Sequence, residues 1–511
     1  MHLSLQAMGC RHLSPKNSHN LFWRINDWKV IGMSERLKTN LSKLTMTLNI
    51  FACAFLILLS VVPLTNASSK MDGDYQALEN DSYTIGVQAY IYGLAPVMIQ
   101  RTENLFVTTP GMGHSPVNKM GYSTNLADAN FTDVVTPNAD TLYNTAWLEL
   151  GKEPIVLHVP DTNGRYYVQQ MLDAYTNTFN SVGKRTTGTG EGNFAIVGPD
   201  WNSSQPTGLQ VIKSPTNTVW IIGRILVKGE SDLSNVLALN KQFTLTPLSQ
   251  YGKPAVAAKN ETLAEFKEAV ASPTTQDSIR FFEELRIALK NNPPSAGEAA
   301  IIAVFDRIGL GKNETPYGTN LDPAIADGLS RAVKDGDQIV KSSWKNLKEF
   351  YINGWTYNTN IGIYGYNYLL RAAVNDGVFG ANVPQEAIYA KAQTGTDGQS
   401  LKGANKYIMH FDKDNMPPVD AFWSLSMYNA TTLLFVPNPV NHYSLGDQTT
   451  GLMYNLDGSL DIYIQHDAPV GKESNWLPTP YGSFYMILRM YQPGPNALNG
   501  TYQIPQVQKV V

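Results

Sequence analysis

Cysteine is almost absent from this 511-residue sequence: there are two, Cys10 and Cys53, both within the first 67 residues. If that segment is a removable leader, the rest of the chain has no disulfide staple, no thiolate nucleophile and no cysteine metal site. It must then hold together by its core alone. Also missing are a G-x-S-x-G elbow, an H-E-x-x-H helix, a phosphate-binding lysine loop and a dinucleotide glycine fingerprint after a strand. The nearest approach, Gly188-Thr-Gly190-Glu-Gly192, has the wrong spacing and reads as a hairpin turn. Of the later histidines, His114, His158, His410, His442 and His466, no two stand at i, i+3 or i, i+4, so zinc is poorly supported. Asp412-x-Asp414-Asn415 lacks the glycine and glutamate of a calcium loop, and Asp457-Gly-Ser-x-Asp461 reads as a turn. No metal or cofactor is predicted.

What is present is a globular composition, 43% hydrophobic and 16% charged, with unevenly spread charge. The first 67 residues hold seven basic and two acidic side chains, so a net charge of −4 overall becomes −9 for the remainder. That excess repels phosphate backbones and anionic headgroups, and no nucleic-acid partner is expected. A polar small molecule or a glycan suits it better. Basic residues up to Lys43 precede an apolar run from Leu48 to Val62 and then Pro63-Leu-Thr-Asn-Ala67-Ser68. This pattern predicts a secretory signal peptide cleaved after Ala67, hence a periplasmic or secreted protein. The run is shorter than the ~20 residues that span a bilayer, so no stable membrane insertion is expected after cleavage.

Beyond the leader, hydrophobic periodicity divides the chain into β, α and β stretches. Residues 68–260 open with a helix from Asp81 to about Thr102, kinked at Pro96. Strand patterns follow at Trp147–Leu150, Ile155–Val159, Arg165–Leu172, Phe194–Val197 and Val219–Val227, a spacing that suits a sandwich or jelly roll. Residues 261–348 read as a helical connector, with helices over Thr262–Ala271, Ser278–Lys290, Ala299–Ile308 and Pro323–Val340. Residues 349–511 form a second β domain, in which the strand signal returns after Gly365. Its clearest strands are Lys406–His410, Ala421–Tyr428, Leu460–His466 and Phe484–Tyr491.

Period-two geometry puts Arg165, Tyr167, Gln169, Met171 and Asp173 on one strand face. That face is either the solvated outside of a sandwich or a pocket floor, where an arginine positions a ligand and Asp173 acts as acid, base or acceptor. Arg224 sits in an apolar strand, Trp220-Ile-Ile-Gly-Arg-Ile-Leu-Val227, and must find a carboxylate or several carbonyls. Asp140 and Asp173 are the partners considered. In the C-terminal half, Ser424, Ser426 and Tyr428, like Tyr485, Arg489 and Tyr491, line polar-aromatic faces opposite core residues. Such faces suit a polyhydroxylated ligand or, equally, a tyrosine-rich interface.

The stretches Thr136-Pro-Asn-Ala-Asp-Thr-Leu-Tyr143, Gly164-Arg-Tyr-Tyr167, Gly183-x-Arg185-Thr-Thr-Gly188 and Gly223-Arg224 resemble domain-of-unknown-function family 1254. Ala421-Phe-Trp-Ser-Leu-Ser-Met-Tyr428, Pro437-Asn-Pro439, Asn475-Trp-Leu-Pro478 and Arg489-x-Tyr-x-Pro493 resemble its usual companion, family 1214. The resemblance implies an exported protein, mainly β, with two sandwich or jelly-roll-like domains joined by helices and assembling as a homo-oligomer; it implies no reaction. Its motif positions mark Asn138, Asp140, Tyr143, Arg165, Tyr167, Asp173, Arg185, Arg224, Trp423, Asn475, Trp476 and Arg489 as site candidates. Two functions fit: non-catalytic binding of a polar neutral ligand or an assembly role, which is favoured, and a hydrolase of carbohydrate-like substrates using Asp140 and Asp173 as paired carboxylates.

Overall fold

In the computed structural model, residues 67–132, 135–254, 260–267, 279–310 and 321–510 are described, and Asp74–Val511 forms one compact unit. The Val-, Ile- and Tyr-rich runs of the first half become β1 (Gly121–Tyr122), β2 (Thr141–Glu149), β3 (Ile155–Val159), β4 (Tyr167–Asp173), β5 (Thr178–Gly183), β6 (Gly192–Val197), β7 (Gln210–Lys213), β8 (Thr218–Leu226) and β9 (Thr244–Pro247). They form a five-stranded sheet, β1-β2-β8-β4-β5, and a four-stranded sheet, β7-β6-β3-β9. Alternate residues explain why the two sheets close on each other. Leu142, Leu148, Met171, Ile221 and Ile225 from the first meet Ile155, Leu157, Phe194 and Ile196 from the second in one core.

The C-terminal half repeats this architecture. It comprises β10 (Phe350–Ile352), β11 (Trp355–Tyr357), β12 (Ala387–Ala392), β13 (Lys406–Phe411), β14 (Val419–Asn429), β15 (Ser444–Gly446), β16 (Leu460–Gln465), β17 (Trp476–Pro478), β18 (Phe484–Pro493) and β19 (Gln508–Val510). A six-stranded sheet, β10-β11-β12-β18-β14-β15, packs on a four-stranded one, β17-β16-β13-β19. Trp423, Leu425, Met427, Met486, Leu488 and Met490 point inward, as their alternation predicts, against Met409, Phe411, Ile462 and Ile464. The fold is mainly β with helical segments, as expected from the sequence.

Among the described residues the α-helices are α1 (Ala67–Thr108), α2 (Leu233–Asn240), α3 (Arg280–Asn291), α4 (Ala299–Phe305), α5 (Pro323–Asn346), α6 (Tyr368–Val378) and the short α7 (Pro495–Leu498). Helix α1 starts earlier than its periodicity suggested and continues past Pro96 to Thr108. Helix α5 starts where Asp322 accepts from the Ala324 amide at 2.8 Å, with Pro323 in the first turn. Apolar stripes of α1, α3 and α5, among them Tyr92, Phe282, Leu285 and Leu329, share a core. Backbones of α1 and α5 approach so closely at Gly328 that a Cβ there would lie 2.4 Å from the Glu79 carbonyl.

Two expectations are corrected here. The first element after Gly365 is helix α6, not a strand: Asn367 accepts from the Leu370 amide at 3.1 Å and so caps the run Tyr-Leu-Leu-Arg-Ala-Ala-Val. Within Thr262–Ala271, Leu263–Glu265 is a single 3-10 turn, and residues 268–278 lie outside the described residues, as do 311–320 and the leader up to residue 66.

The larger sheets of the two sandwiches also face each other. Tyr166, Val168 and Leu226 from the first pack on Ala387, Phe422 and Tyr491 from the second. Strand β4 is therefore buried at every position. Neither of its faces is a solvated exterior.

Candidate site between the two sandwiches

The loop Thr136-Pro-Asn-Ala-Asp140 leads into β2 and lies between the sandwiches. Asn138 Oδ1 accepts from the Asp140 amide at 2.7 Å, the Asx-turn expected of an asparagine after proline. Its Nδ2 donates to the Tyr491 hydroxyl of the other domain at 2.7 Å. Asp140 receives hydroxyl bonds from Ser424 (2.5 Å) and Ser444 (2.6 Å), both on the C-terminal sheet. Thr136 holds φ at 54°, an uncommon conformation for a β-branched residue. In that conformation its carbonyl, with that of Pro137, accepts from Arg489 at 3.2 Å.

Beyond this loop each sheet offers the same cross-strand pair. Tyr143 of β2 stands directly opposite Arg224 of β8, and Tyr389 of β12 directly opposite Arg489 of β18. Arg224 donates to the side-chain oxygens of Gln170 (2.8 Å) and Asn382 (3.3 Å) and to the Gly380 carbonyl (3.2 Å). Arg489 donates to Ser426 Oγ at 2.9 Å besides the loop carbonyls. Among the described residues neither guanidinium has a carboxylate within salt-bridge distance. This corrects the expected pairing of Arg224 with Asp140 or Asp173; neutral oxygens satisfy it instead.

Burial and charge act differently along this cluster. Arg224, Arg489 and Tyr491 are buried, whereas Asp140, Tyr143 and Tyr389 keep partial exposure, so solvent reaches one side of the cluster. Burial alone would raise the Tyr143 phenol. The charge of Arg224, its hydrogen bonding, and then Arg489 and Asn138 outweigh that, holding the phenol below its ordinary value. Tyr491 is pushed far upward by burial and by the neighbouring phenols. Burial opposes the charges on both arginines, but the phenol oxygens around them, with Asp140 near Arg489, act the other way and raise their pKa.

Five of the twelve residues singled out in the sequence thus meet here: Asn138, Asp140, Tyr143, Arg224 and Arg489. The others lie elsewhere. Arg165 pairs with Asp232 at 2.5 Å, and Arg185 with Glu386 at 2.7 Å, the latter an ion pair between domains. Tyr167 is in the N-terminal core. Trp423 is in the C-terminal core, and Trp476 donates to the Gln465 carbonyl at 2.8 Å beside Asn475, which ties Met453 to Asp461. Those three close the sandwich away from the shared face. Asp173 accepts from the amides of Tyr175 and Asn177, both at 2.9 Å, and so shapes the turn after β4. Asp140 abuts Val227 and Asp173 pairs with Val219, eight residues apart along β8. At ~3.3 Å per residue this puts the two carboxylates about 25 Å apart, so they do not form a pair.

Tyr389 and Asn382 went unnoticed in the sequence, and Ser444, within the motif Tyr443-Ser-Leu-Gly446, was not singled out as a candidate. The signal for Tyr389 was there: Ala387-Ile-Tyr-Ala-Lys-Ala392 alternates small and large residues with period two, but weakly.

The fold and the shared face define a protein of two packed β-sandwiches whose candidate site draws residues from both. Residues 117–247 match the family described as protein of unknown function DUF1254, and residues 386–495 match DUF1214. The order is the one the motifs indicate. The first match covers the whole N-terminal sandwich and the second runs from β12 to β18, so each family contributes one tyrosine–arginine pair. The VPA0106 protein from Vibrio parahaemolyticus is similar in structure, with a TM-score of 0.66 and 24% identity over 84% of this chain and 100% of its own. That likeness is one of fold. A protein from Burkholderia cenocepacia covers 87% of this chain and 99% of its own at 11% identity, with a TM-score of 0.40. No curated protein matches the chain.

Proposed function

We propose that the face between the sandwiches binds a small polar ligand through an anionic oxygen, most simply a carboxylate, placed between Arg224 and Arg489. One observation carries this reading: among the described residues, two guanidiniums on facing sheets are buried without a carboxylate partner, next to the partly exposed Tyr143. A planar guanidinium is the group best suited to a carboxylate, and burial strengthens that contact. The polar-aromatic faces that suggested a neutral carbohydrate build this interface, and the unpaired arginines move the expected ligand from neutral to anionic. Tyr143 adds a group able to hold or give up a proton beside the ligand.

The same residues tie the domains together, through Asp140 to Ser424 and Ser444 and through Arg489 to the loop carbonyls, which favours an assembly role as the second reading. A thermal-shift screen of small carboxylates, inorganic phosphate and neutral sugars separates the two. Ligand binding predicts stabilisation by anions that Arg224→Gln abolishes. A variant that melts early, with no ligand shifting either protein, points to assembly alone. We also infer export, supported by the Leu48–Val62 run and the small residues before Ser68. Among the described residues no helix is long and apolar enough to cross a membrane. N-terminal sequencing of the protein from its host should read Ser68 first.

A further inference from the structure

Lys391 lies on β12 two residues beyond Tyr389, and thus on the same sheet face. Its cross-strand neighbour is Ile487, one alternation along β18 from Arg489. The ammonium sits 4.5 Å from the centroid of the Tyr485 ring. The Tyr485 hydroxyl in turn meets Thr136 Oγ1 at 2.8 Å, in the loop that receives Arg489. Among the described residues Lys391 has no carboxylate within salt-bridge distance and no hydrogen-bond acceptor. It is half-buried, and burial lowers its pKa. A lysine that could have extended into water is instead laid across an aromatic ring, where its charge is attracted by the ring face but by no anion.

We propose that the ligand of this site is a dianion with two separated anionic groups, the first between Arg224 and Arg489 and the second on Lys391. This rests on the reading of the preceding section and extends it to the far end of the ligand. The arginine rung and the lysine rung are two residues apart on β12, about 7 Å, a spacing that a short aliphatic dicarboxylate bridges between flexible cationic ends. A point-charge ammonium accepts a terminal carboxylate or a phosphoryl group alike, so the shared chemistry is the second anionic group. Inside the cluster Asp140 is committed to Ser424 and Ser444, and Asp447, which lies close enough to sense the charge of Asp140, accepts from the Trp423 amide at 2.9 Å. Both carboxylates are thereby engaged by hydrogen bonds of their own, and neither is within salt-bridge distance of Lys391.

The test is a calorimetric titration of the full chain with butyrate, succinate, glutarate and 3-phosphopropionate, repeated with Lys391→Met and Lys391→Arg. The expected result is that succinate or glutarate binds wild type at least about tenfold more tightly than butyrate, that Lys391→Met abolishes that advantage without weakening butyrate, and that Lys391→Arg restores it. A greater advantage for 3-phosphopropionate identifies the distal group as phosphoryl, and the reverse as carboxylate; both support a dianion. Equal affinity of butyrate and the dicarboxylates for wild type overturns the dianion and leaves the arginine site standing. Loss of butyrate and dicarboxylate binding together in Lys391→Met also overturns it. Absence of binding by any of the four overturns the arginine site and the dianion with it.

Discussion

Tyr143 and Arg224 occupy directly opposed positions on neighbouring strands, with the guanidinium carbon 5.4 Å from the phenol ring centroid. Among the described residues the arginine has no carboxylate to answer its charge, so its field acts on the phenol. Burial pushes Tyr143 up, but Arg224 and then Arg489 pull it below the ordinary 10.0. A phenol lowered in the folded state contributes stability that is present above pH 10.0 and lost as pH falls through its folded value. Phenolate absorbance should therefore show an ionisation below that pH, absent in Tyr143→Phe and moved upward in Arg224→Met. An unchanged titration curve in Tyr143→Phe would assign the step to another tyrosine.

Asp140 should behave as a tie between domains. Asp140→Asn keeps one acceptor oxygen but turns an amide toward a serine hydroxyl, costing about 1–3 kcal/mol. Ser424→Ala and Ser444→Ala should each cost less, because one donor to the carboxylate remains. Chemical denaturation measures all three, and a serine variant less stable than Asp140→Asn would contradict the arrangement.

Asp173 should act through its turn. Burial raises its pKa to about 6 despite the Asn177 and Tyr175 hydrogen bonds. Because the folded state holds a proton that the unfolded chain releases near pH 3.8, this stability is fully present below that pH and lost as pH rises through about 6. Asp173→Asn can still accept from both backbone amides but turns its own amide toward Asn177 Nδ2, so it should cost less than the alanine variant near neutrality and flatten that slope. Asp173→Ala leaves the amides unpaired and should cost about 2–4 kcal/mol. Equal destabilisation by Asn and Ala would show that charge, not the turn, is what matters.

A second buried cluster lies away from the shared face. Lys267 contacts Glu103, and Glu149 at 2.7 Å, while Glu103 Oε1 is buried with no partner among the described residues. Burial raises Glu103 to about 8, against the pull of Lys267. The sign is again that of a raised carboxyl: stability is lost as pH climbs from 4.5 through about 8, and Glu103→Gln should remove this dependence. Lys267→Met removes the only cation bonded to this buried carboxyl pair among the described residues and should cost about 3–5 kcal/mol. Melting curves across that pH range decide it; a pH slope that survives in Glu103→Gln belongs to another group.

The elements were largely legible because one face of each strand enters a core. Ile155–Val159 was placed to the residue, and β8, β14 and β18 to within two, since runs such as Trp423-x-Leu425-x-Met427 alternate against polar neighbours. Alternation gives parity but not strand order, and this is why Asp140 and Asp173 looked like partners although β8 holds them at opposite ends of one sheet. Parity also cannot say what covers a polar face. Arg489, Tyr491 and Ser424 were recognised as polar face residues, yet the partners of Tyr491 and Arg489, Asn138 and the loop carbonyls, are about 350 residues away in sequence, and Asp140, the partner of Ser424, is 284 away. Asn382 and Tyr389 stayed invisible because a loop and a short alanine-rich strand carry little hydrophobic signal.

An anion held between Arg224 and Arg489 is what defines the proposed site. The direct measurement is a calorimetric comparison of propionate with propionamide, equal in shape but not in charge, on wild type and on Arg224→Lys and Arg489→Lys, which keep the charge but lose the planar fork. The prediction is that propionate binds wild type at least about tenfold more tightly than propionamide, and that each lysine variant narrows the gap while the fold persists. Equal affinities for the acid and the amide, or a preference for propionate untouched by both substitutions, would contradict it.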